Sequence, residues 1–252
     1  MKKHFKLIVF ILSLFIVYFI YSIFLNQNSK IIYIPLGDSI AEGMNPYHKV
    51  EYGYPDYISN YLKEKDKLSF YTKAYAISGY TTEDVTNDIE NNKEIEKDGK
   101  KYYLKERLRE SKLVTLTIGA NDFMNGMSLA DIPVKLLNSI ELKKDADEIA
   151  NKVKNLILLI KKYAKGKIIV TGYYNPLPRS LEYKTEIDEI IKYYNNLIEE
   201  ICDELDVTYV NIFDIFDNKK DLIPNPLDIH PTVTGYELIS KEIIKNIEEL
   251  TN

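Results

Sequence analysis

The chain has no tryptophan, one cysteine and three histidines among its 252 residues. The single cysteine, Cys202, cannot form an internal disulfide, and its position in a helical pattern indicates a buried thiol. Histidines and cysteines this few, without the spacing of metal ligands, argue against a zinc site. A net charge of −5 offers no basic surface of the kind that binds nucleic acid. We therefore expect a protein that uses no metal or organic cofactor and has no nucleic-acid partner.

The N-terminus carries a nearly unbroken apolar run. Three lysines precede the segment Leu7–Leu25, and its ~19 residues are enough to span a bilayer. Basic residues on the N-terminal side favour a cytoplasmic N-terminus and export of the remainder. The run is long for a signal peptide, and no clean small-x-small cleavage site follows it. We predict a single-pass membrane anchor with its linker in residues 1–29. The alternative is a cleaved signal and a secreted protein, and in both cases residues 30–252 act outside the cytoplasm.

After a polar linker at residues 26–30, short apolar runs alternate with longer helical patterns. The predicted strands are Ile31–Leu36, Ser69–Tyr75, Leu113–Ile118, Lys167–Thr171 and Val207–Asn211. The predicted helices are Tyr54–Lys65, Thr82–Ile89, Leu104–Glu110, Asp145–Ala164, Thr185–Leu205 and Thr234–Leu250. This alternation predicts an α/β fold with a parallel sheet covered by helices on both faces. Without repeats or a Pro/Gly-rich hinge, we predict one domain over residues 30–252, with Asn91–Lys101 as a surface loop.

A serine follows the first predicted strand directly. Gly37-Asp38-Ser39 stands at the carboxyl edge of the predicted sheet, where open α/β folds place their chemistry. A serine hydroxyl is a poor nucleophile until a base takes its proton. After the apolar run the chain has two histidines, and His48, in the loop soon after Ser39, is predicted to be exposed. His230 is therefore the candidate base, although the fold must bring it to Ser39 from the other end of the chain.

Further motifs follow the other predicted strands. They are Ser78-Gly79-Tyr80, Gly119-Ala120-Asn121-Asp122 and Gly172-Tyr173-Tyr174-Asn175. Together with the Gly37-Asp38-Ser39 turn and the late Asp228/His230 pair, they resemble the GDSL (SGNH) family of esterases and lipases over residues 31–249. The family order Ser, Gly, Asn, His is matched at Ser39, Gly79, Asn121 and His230. The resemblance implies a three-layer α/β/α sandwich with a flavodoxin-like five-stranded parallel sheet, the SGNH hydrolase fold.

The resemblance also implies a role for each matched residue. Ser39 would attack an ester carbonyl, with His230 as general base and then general acid. The backbone N–H groups of Ser39 and Gly79 and the side-chain amide of Asn121 would form the oxyanion hole. Loss of one such donor typically costs about 2.7–4 kcal/mol of transition-state stabilisation. Each residue also has a purely structural interpretation, since Ser39 or Asn121 could cap a helix and Gly79 could serve a tight turn.

The acidic member departs from the family pattern. The acid usually stands three residues before the histidine, where this chain has Leu227. We predict that Asp228, two residues before His230, orients the imidazole. The alternative is a backbone carbonyl, which would leave a Ser–His dyad. Other acids nearby in the sequence are Asp214, Asp217 and Asp221.

These observations predict an extracytoplasmic, monomeric serine esterase or lipase that forms an acyl-enzyme on Ser39. Its substrate would be a small-molecule, lipid or cell-wall ester, and the apolar residues of the loop Asn121–Ser139 slightly favour a lipid-like one. The displaced aspartate leaves open a catalytically inactive, surface-anchored binding module of the same fold. A phosphate-binding flavodoxin-like domain is disfavoured, because Asp38 stands where a Gly-rich phosphate cradle would be needed.

Overall fold

The computed structural model describes residues 14, 16–18, 30–124, 139–177, 184–217, 219–226 and 228–251. In chain order the elements are β1 (Ile31–Gly37), α1 (Ser39–Glu42), α2 (Tyr54–Glu64), β2 (Leu68–Tyr71), α3 (Thr82–Glu90), β3 (Glu94–Lys97), β4 (Lys100–Tyr103), α4 (Leu104–Glu110), β5 (Leu113–Thr117), α5 (Ala120–Met124), α6 (Ser139–Tyr163), β6 (Lys167–Thr171), α7 (Lys184–Glu204), β7 (Thr208–Val210), α8 (Phe213–Phe216) and α9 (Val233–Lys245). Short 3₁₀ turns cover Lys220–Leu222 and Glu248–Leu250.

Five parallel strands form the central sheet, in the order β2-β1-β5-β6-β7. The register of β1 on β5 runs from Tyr33 opposite Leu113 to Gly37 opposite Thr117. The carboxyl ends of β1 and β5 therefore finish side by side. This arrangement confirms the predicted α/β fold with a five-stranded parallel sheet.

Helices cover both faces of the sheet. On one face a core cluster joins Ile34 and Leu36 of β1 to apolar residues of α3, α4, α6 and α7. On the other face Ile31 and Tyr33 pack with residues of α1, α2, α8 and α9. Successive residues of β1 thus point into opposite cores, which explains why the strand is apolar throughout and has no polar face.

One core carries hydroxyl groups that bond to one another. Tyr33 Oη lies 2.9 Å from Thr115 Oγ1, and Tyr54 Oη lies 2.9 Å from Thr117 Oγ1. Thr117 Oγ1 in turn lies 2.8 Å from Thr171 Oγ1. Each bond satisfies a buried polar group that would otherwise cost roughly 1–3 kcal/mol. The chain of bonds also links three neighbouring elements of the fold, from α2 through β5 to β6.

The predicted elements agree with the structure except at some ends and in one loop. The strand predicted at Ser69–Tyr75 ends at Tyr71, because the chain turns there and Thr72 Oγ1 accepts the Ala74 N–H at 3.2 Å. The long helix predicted from Asp145 begins earlier, at Ser139. The last helix ends at Lys245, and a separate 3₁₀ turn follows it.

The prediction of a surface loop at Asn91–Lys101 is wrong. Strands β3 and β4 form an antiparallel hairpin there, with Glu94 opposite Tyr103 and Lys97 opposite Lys100. Asp98 and Gly99 make the turn with φ values of 53° and 71°. Two consecutive positive φ values are typical of the type I′ hairpin turn, for which Asp-Gly is a preferred pair. The charged residues hid the alternation, but the Asp-Gly pair was a signal for a hairpin.

Two sequence predictions fall largely outside the described residues. Most of the apolar run Leu7–Leu25 lies there, and its described members Leu14, Ile16, Val17 and Tyr18 are helical and exposed. Within the part of the chain that the structure describes, no helix is both long and apolar enough to cross a membrane. Residues 125–138, most of the loop expected to cover an acyl chain, are also outside the description. The anchor, its linker and the acyl-covering loop stay predictions.

Candidate active site

Ser39 stands on a sharp turn between β1 and α1. Gly37 has φ +135°, and a Cβ there would lie 2.0 Å from the carbonyl oxygen of Thr117, so only glycine fits. Asp38 caps α1, since its Oδ1 accepts the Ile40 N–H at 2.9 Å. The cap is therefore Asp38, and Ser39 is the first helical residue. This leaves the Ser39 hydroxyl available for another partner.

That partner is His230. The Nε2 atom of His230 lies 2.7 Å from Ser39 Oγ, and its Nδ1 atom lies 2.7 Å from Asp228 Oδ1. The loop before α9 carries both residues, and Tyr174 Oη fixes it by donating to the carbonyl of Ile229 at 2.7 Å. The side chains of Asp228 and His230 are only 3% and 12% exposed. The structure thus brings the three predicted catalytic residues into one continuous chain of hydrogen bonds.

Burial favours the neutral form of the His230 imidazole. Desolvation lowers the pKa of His230 below its usual 6.5, and the neighbouring Asp228 carboxylate opposes that shift without reversing it. A neutral ring whose Nδ1–H points at a carboxylate keeps a lone pair on Nε2. Such a ring can accept the proton of Ser39 at neutral pH.

The other acids near His230 in sequence do not reach its ring in the described contacts. Asp217 lies 3.8 Å from Lys184 Nζ, and Asp214 is exposed on α8. Asp221 is exposed on the 3₁₀ turn. Of the acidic candidates, Asp228 is the one whose carboxylate faces the imidazole.

His48 lies beside these residues although its side chain is 74% exposed. Its Nε2 atom is 3.4 Å from Asp228 Oδ2, the carboxylate oxygen that His230 does not use. Ligand atoms of His48, Asp228 and His230 lie within 4.8 Å of one another, so these residues could hold a metal ion. Their contacts with one another already account for the arrangement.

The three donors predicted for the oxyanion hole keep hydrogens that are available for a new acceptor. In the described part of the chain, the backbone N–H groups of Ser39 and Gly79 have no acceptor. The Asn121 amide donates one hydrogen to the Tyr80 carbonyl at 2.8 Å, which leaves its second hydrogen. Gly79 has φ +84°, and a Cβ there would meet nothing within 4 Å. Gly79 therefore lies on an exposed part of its loop, with open space on its Cβ side.

Hydrogen bonds tie together the loops that follow four strands, β1, β2, β5 and β6. Ile77 donates its N–H to the Gly37 carbonyl at 3.0 Å, which joins the Gly79 loop to the end of β1. Tyr173, after β6, donates its hydroxyl to Asp38 Oδ2 at 2.7 Å and accepts the Ala120 N–H at 3.2 Å. Burial raises the pKa of Asp38 to about 6, while these hydrogen bonds oppose the rise. Asp38 thus shapes the turn that carries Ser39.

The sequence analysis assigned no role to two residues whose hydrogen bonds support the site. Tyr173 was quoted only as part of a strand-end motif, and Glu42 received no role. Glu42 Oε2 accepts the Ser78 N–H at 2.9 Å and also the Ser78 hydroxyl. The usable signal for Glu42 is its position three residues after Ser39, which places both residues on the same face of a helix.

Two comparisons with known proteins give matches over most of the chain. A family model described as "GDSL-like Lipase/Acylhydrolase family" matches residues 36–238. The uncharacterized protein YpmR of Bacillus subtilis (strain 168) is 25% identical over 229 residues, which are 89% of this chain and 84% of YpmR.

Solved structures share the fold. Axe2, an acetylxylan esterase from Geobacillus stearothermophilus, has a TM-score of 0.59 and 20% identity, covering 85% of this chain and 93% of Axe2. Axe2 has also been solved as catalytic mutants of a serine, an aspartate and a histidine. The lipase Lip_vut3 from a goat rumen metagenome has a TM-score of 0.64 and 18% identity, covering 84% of this chain and 95% of the lipase.

Proposed function

Since the chain belongs to the GDSL-like lipase/acylhydrolase family and is a serine ester hydrolase, we propose that it works through an acyl-enzyme on Ser39. One observation carries the proposal. The Ser39 hydroxyl, the His230 imidazole and the Asp228 carboxylate are joined by two contacts of 2.7 Å each. The same arrangement of groups activates serine in unrelated hydrolases, where it is recognised by geometry and not by sequence position.

The reaction proceeds in two halves. Ser39 Oγ attacks the ester carbonyl carbon as its proton passes to His230 Nε2, and Asp228 supports the imidazolium that forms. Collapse of the tetrahedral intermediate breaks the bond to the alcohol oxygen, which takes the proton from His230. The acyl group stays on Ser39. A water molecule then loses a proton to His230 and attacks the acyl carbon, which releases the acid and restores Ser39.

The oxyanion is assigned to three donors. The backbone N–H groups of Ser39 and Gly79 and the free hydrogen of the Asn121 amide carry the negative charge of each tetrahedral intermediate. Two facts support the assignment. Both backbone groups lack an acceptor among the described residues, and Gly79 faces open space. Donors without a competing acceptor are available to the negative charge that develops in the transition state.

The substrate is a carboxylic ester of a small molecule, a lipid or a cell-wall sugar. We place the domain outside the cytoplasm, tethered by the apolar run Leu7–Leu25, and we expect it to act as a monomer. The basic residues before that run support this orientation. Axe2 acts on acetylated xylan, and this likeness supports including short acyl groups on sugars among the substrates to be tested.

The geometry gives no support to the alternative of an inactive binding module. The displaced aspartate was the feature that favoured it. Asp228 nevertheless reaches His230 Nδ1 at 2.7 Å, with only one residue between them. The geometry therefore supports turnover.

Hydrolysis of p-nitrophenyl esters tests the proposal. The full-length chain is assayed in mild detergent with acetate, butyrate and longer acyl esters, beside Ser39→Ala. Ser59→Ala is the matched control, because the Ser59 hydroxyl bonds only to the carbonyl of Asp56 in its own helix. We expect wild type and Ser59→Ala to turn over the ester and Ser39→Ala to show only background. The chain-length profile separates a deacetylase from a lipase.

A fluorophosphonate probe tests the covalent step independently. Ser39 Oγ should displace the fluoride and gain the phosphonyl group, which intact mass and peptide mapping locate. No labelling of wild type, together with equal ester hydrolysis by wild type and Ser39→Ala, would overturn the acyl-enzyme proposal.

A further inference from the structure

The carboxylate of Glu42 joins two parts of the active site. Glu42 closes α1, the one-turn helix that begins with Ser39. Its Oε2 atom accepts both the backbone N–H and the hydroxyl of Ser78, the residue directly before Gly79. The helix that carries the nucleophile therefore holds the loop that carries an oxyanion donor. Glu42 and Ser78 are each only half-buried, so core packing does not explain the contact.

The other side of the same loop is held from β5. Asn121 donates to the Tyr80 carbonyl at 2.8 Å, and Asp122 accepts the Thr82 N–H at 2.9 Å and the Thr82 hydroxyl at 2.6 Å. The segment Ser78–Thr82 is thus fixed at both ends by side chains from the loops that carry Ser39 and Asn121. Gly79 lies between the two attachments.

Gly79 needs such support because it is exposed and open on its Cβ side. Its backbone has φ +84°, it is exposed, and no atom lies within 4 Å of a Cβ built there. A donor must sit about 2.7–3.1 Å from the position that the oxyanion will occupy, so a small displacement loses most of its effect. A shift of 1 Å in a positioning group can cost about 100-fold in rate.

We propose that Glu42 is a positioning residue, whose hydrogen bonds to Ser78 set the Gly79 N–H at its distance from the reacting carbonyl. The inference rests on the proposed function, because it assigns a support to the oxyanion hole of that reaction. Glu42 contacts no reacting atom. Its effect falls on the transition state, in which the negative charge develops.

Kinetics of Glu42→Ala, Glu42→Gln and Ser78→Ala test the proposal on the full-length chain. Glu42→Ala removes both bonds, and we expect kcat to fall about tenfold to hundredfold with KM changed less than about threefold. Glu42→Gln keeps an amide oxygen that can accept from Ser78, and we expect it to retain at least a third of kcat. Ser78→Ala keeps the backbone bond and should lose an intermediate amount.

An alkyl boronate separates positioning from a general structural role. Ser39 adds to boron to give a tetrahedral adduct that uses the same donors as the transition state. The boronate inhibition constant should therefore rise in Glu42→Ala in proportion to the loss of kcat. Glu83→Ala is the control, since Glu83 is an exposed acid in the first turn of α3, beside the same loop. It should leave kcat and boronate affinity unchanged.

The possible results test the proposed function and the role of Glu42 separately. A wild type that is neither active nor labelled by the fluorophosphonate would overturn the proposed function itself. An active wild type with normal kcat and boronate affinity in a folded Glu42→Ala protein would overturn the role of Glu42 alone. If Glu42→Ala does not fold, Ser78→Ala decides, and wild-type kcat in Ser78→Ala would overturn the proposal. Addition of Ser78→Ala to Glu42→Ala should cause no further loss of kcat, because Glu42→Ala already removes the contact that Ser78→Ala weakens.

Discussion

Asp228 orients His230 through one carboxylate oxygen. Oδ1 accepts the backbone N–H of His230 and also faces its Nδ1 atom, each at 2.7 Å. These two contacts fix the Asp228 carboxylate relative to the imidazole of His230, two residues later in the chain. Asp228 itself is held by donating its N–H to the Asn225 carbonyl at 3.1 Å. The two-residue spacing between Asp228 and His230 therefore produces a local turn that orients the imidazole ring.

Asp228→Asn should abolish most of the turnover. An amide in place of the carboxylate can donate to Nδ1 and favours the wrong imidazole tautomer. The corresponding change in a serine protease costs about 10⁴-fold in kcat, and we expect a loss of similar order. The measurement is kcat for p-nitrophenyl acetate. The control is Asp214→Asn, which changes an exposed aspartate of α8. Near-wild-type kcat in Asp228→Asn would instead favour a Ser–His dyad.

The acid limb of the pH–rate profile should report His230. Burial lowers the pKa of His230 below 6.5, so the neutral base persists to a lower pH than for a free imidazole. We expect kcat/KM to decline toward acidic pH with a midpoint below 6.5. In Asp228→Asn the residual activity should decline at still lower pH, because the Asp228 charge raises the pKa of His230. A midpoint above 6.5 in wild type, or a limb that moves to higher pH in the variant, would contradict this.

At the scale of elements, chemistry is carried by turns that follow strands. Gly37, Gly79 and Gly119 all have positive φ; Gly37 ends β1, and the other two follow β2 and β5. Strand ends and glycines were visible in the sequence, and so the placement of Ser39, Gly79 and Asn121 could be predicted with help from the family order. The bond from Glu42 to Ser78 could not, because it depends on how two loops approach in space.

The β3–β4 hairpin shows the limit of pattern reading on a charged segment. Its core-facing residues are few, since only Ile95 is buried in β3, and Tyr102 of β4 packs against Phe70 with ring centroids 4.8 Å apart. Two apolar contacts in a charged stretch give little alternation to detect. The backbone requirement of the Asp98-Gly99 turn was the stronger signal, and it does not depend on hydrophobicity.

Gly79 and Gly99 make a matched pair for testing the oxyanion loop. Both have positive φ, of 84° and 71°, and a Cβ at either position would meet nothing within 4 Å. Alanine in a left-handed conformation costs roughly 1–2 kcal/mol, so both variants should lose similar stability in urea unfolding. We expect Gly79→Ala to lower kcat at least tenfold, because its backbone N–H moves as φ relaxes. Gly99→Ala, in the hairpin turn, should keep wild-type kcat, and equal kcat in the two variants would argue against a role for Gly79.

At the scale of the whole molecule, the site lies where the strand order reverses. β1 is followed in the sheet by β2 on one side and β5 on the other, and helices leave their carboxyl ends toward opposite faces. Open α/β sheets bind ligands in the crevice at such a point. The alternation of elements predicted a parallel sheet from the sequence, but not this order of strands. The order follows from long-range packing, as does the packing of α9 against α2, which brings His230 to Ser39.

The predicted anchor can be tested by fractionation. A full-length chain with an uncleaved anchor should sediment with membranes and keep the mass of the complete sequence. A cleaved signal would release a soluble protein of lower mass, and protease added outside intact cells would digest the domain if it is exported. Retention of the full-length chain in the cytosolic fraction would contradict both the anchor and the extracytoplasmic location.

Removal of residues 1–29 should leave a folded and active domain. β1 begins at Ile31, whose N–H donates to the Lys67 carbonyl at 2.5 Å, and Lys30 Nζ pairs with Asp66 at 2.5 Å. The described residues before position 30 are exposed, so the core of the sheet gains nothing from them. We expect kcat/KM for p-nitrophenyl acetate within about twofold of the full-length chain, and a similar melting temperature. Because the deletion also removes the apolar run, the shortened protein should no longer sediment with membranes. Aggregation or loss of the thermal transition would mean that the domain begins before residue 30 and that the apolar run belongs to its core.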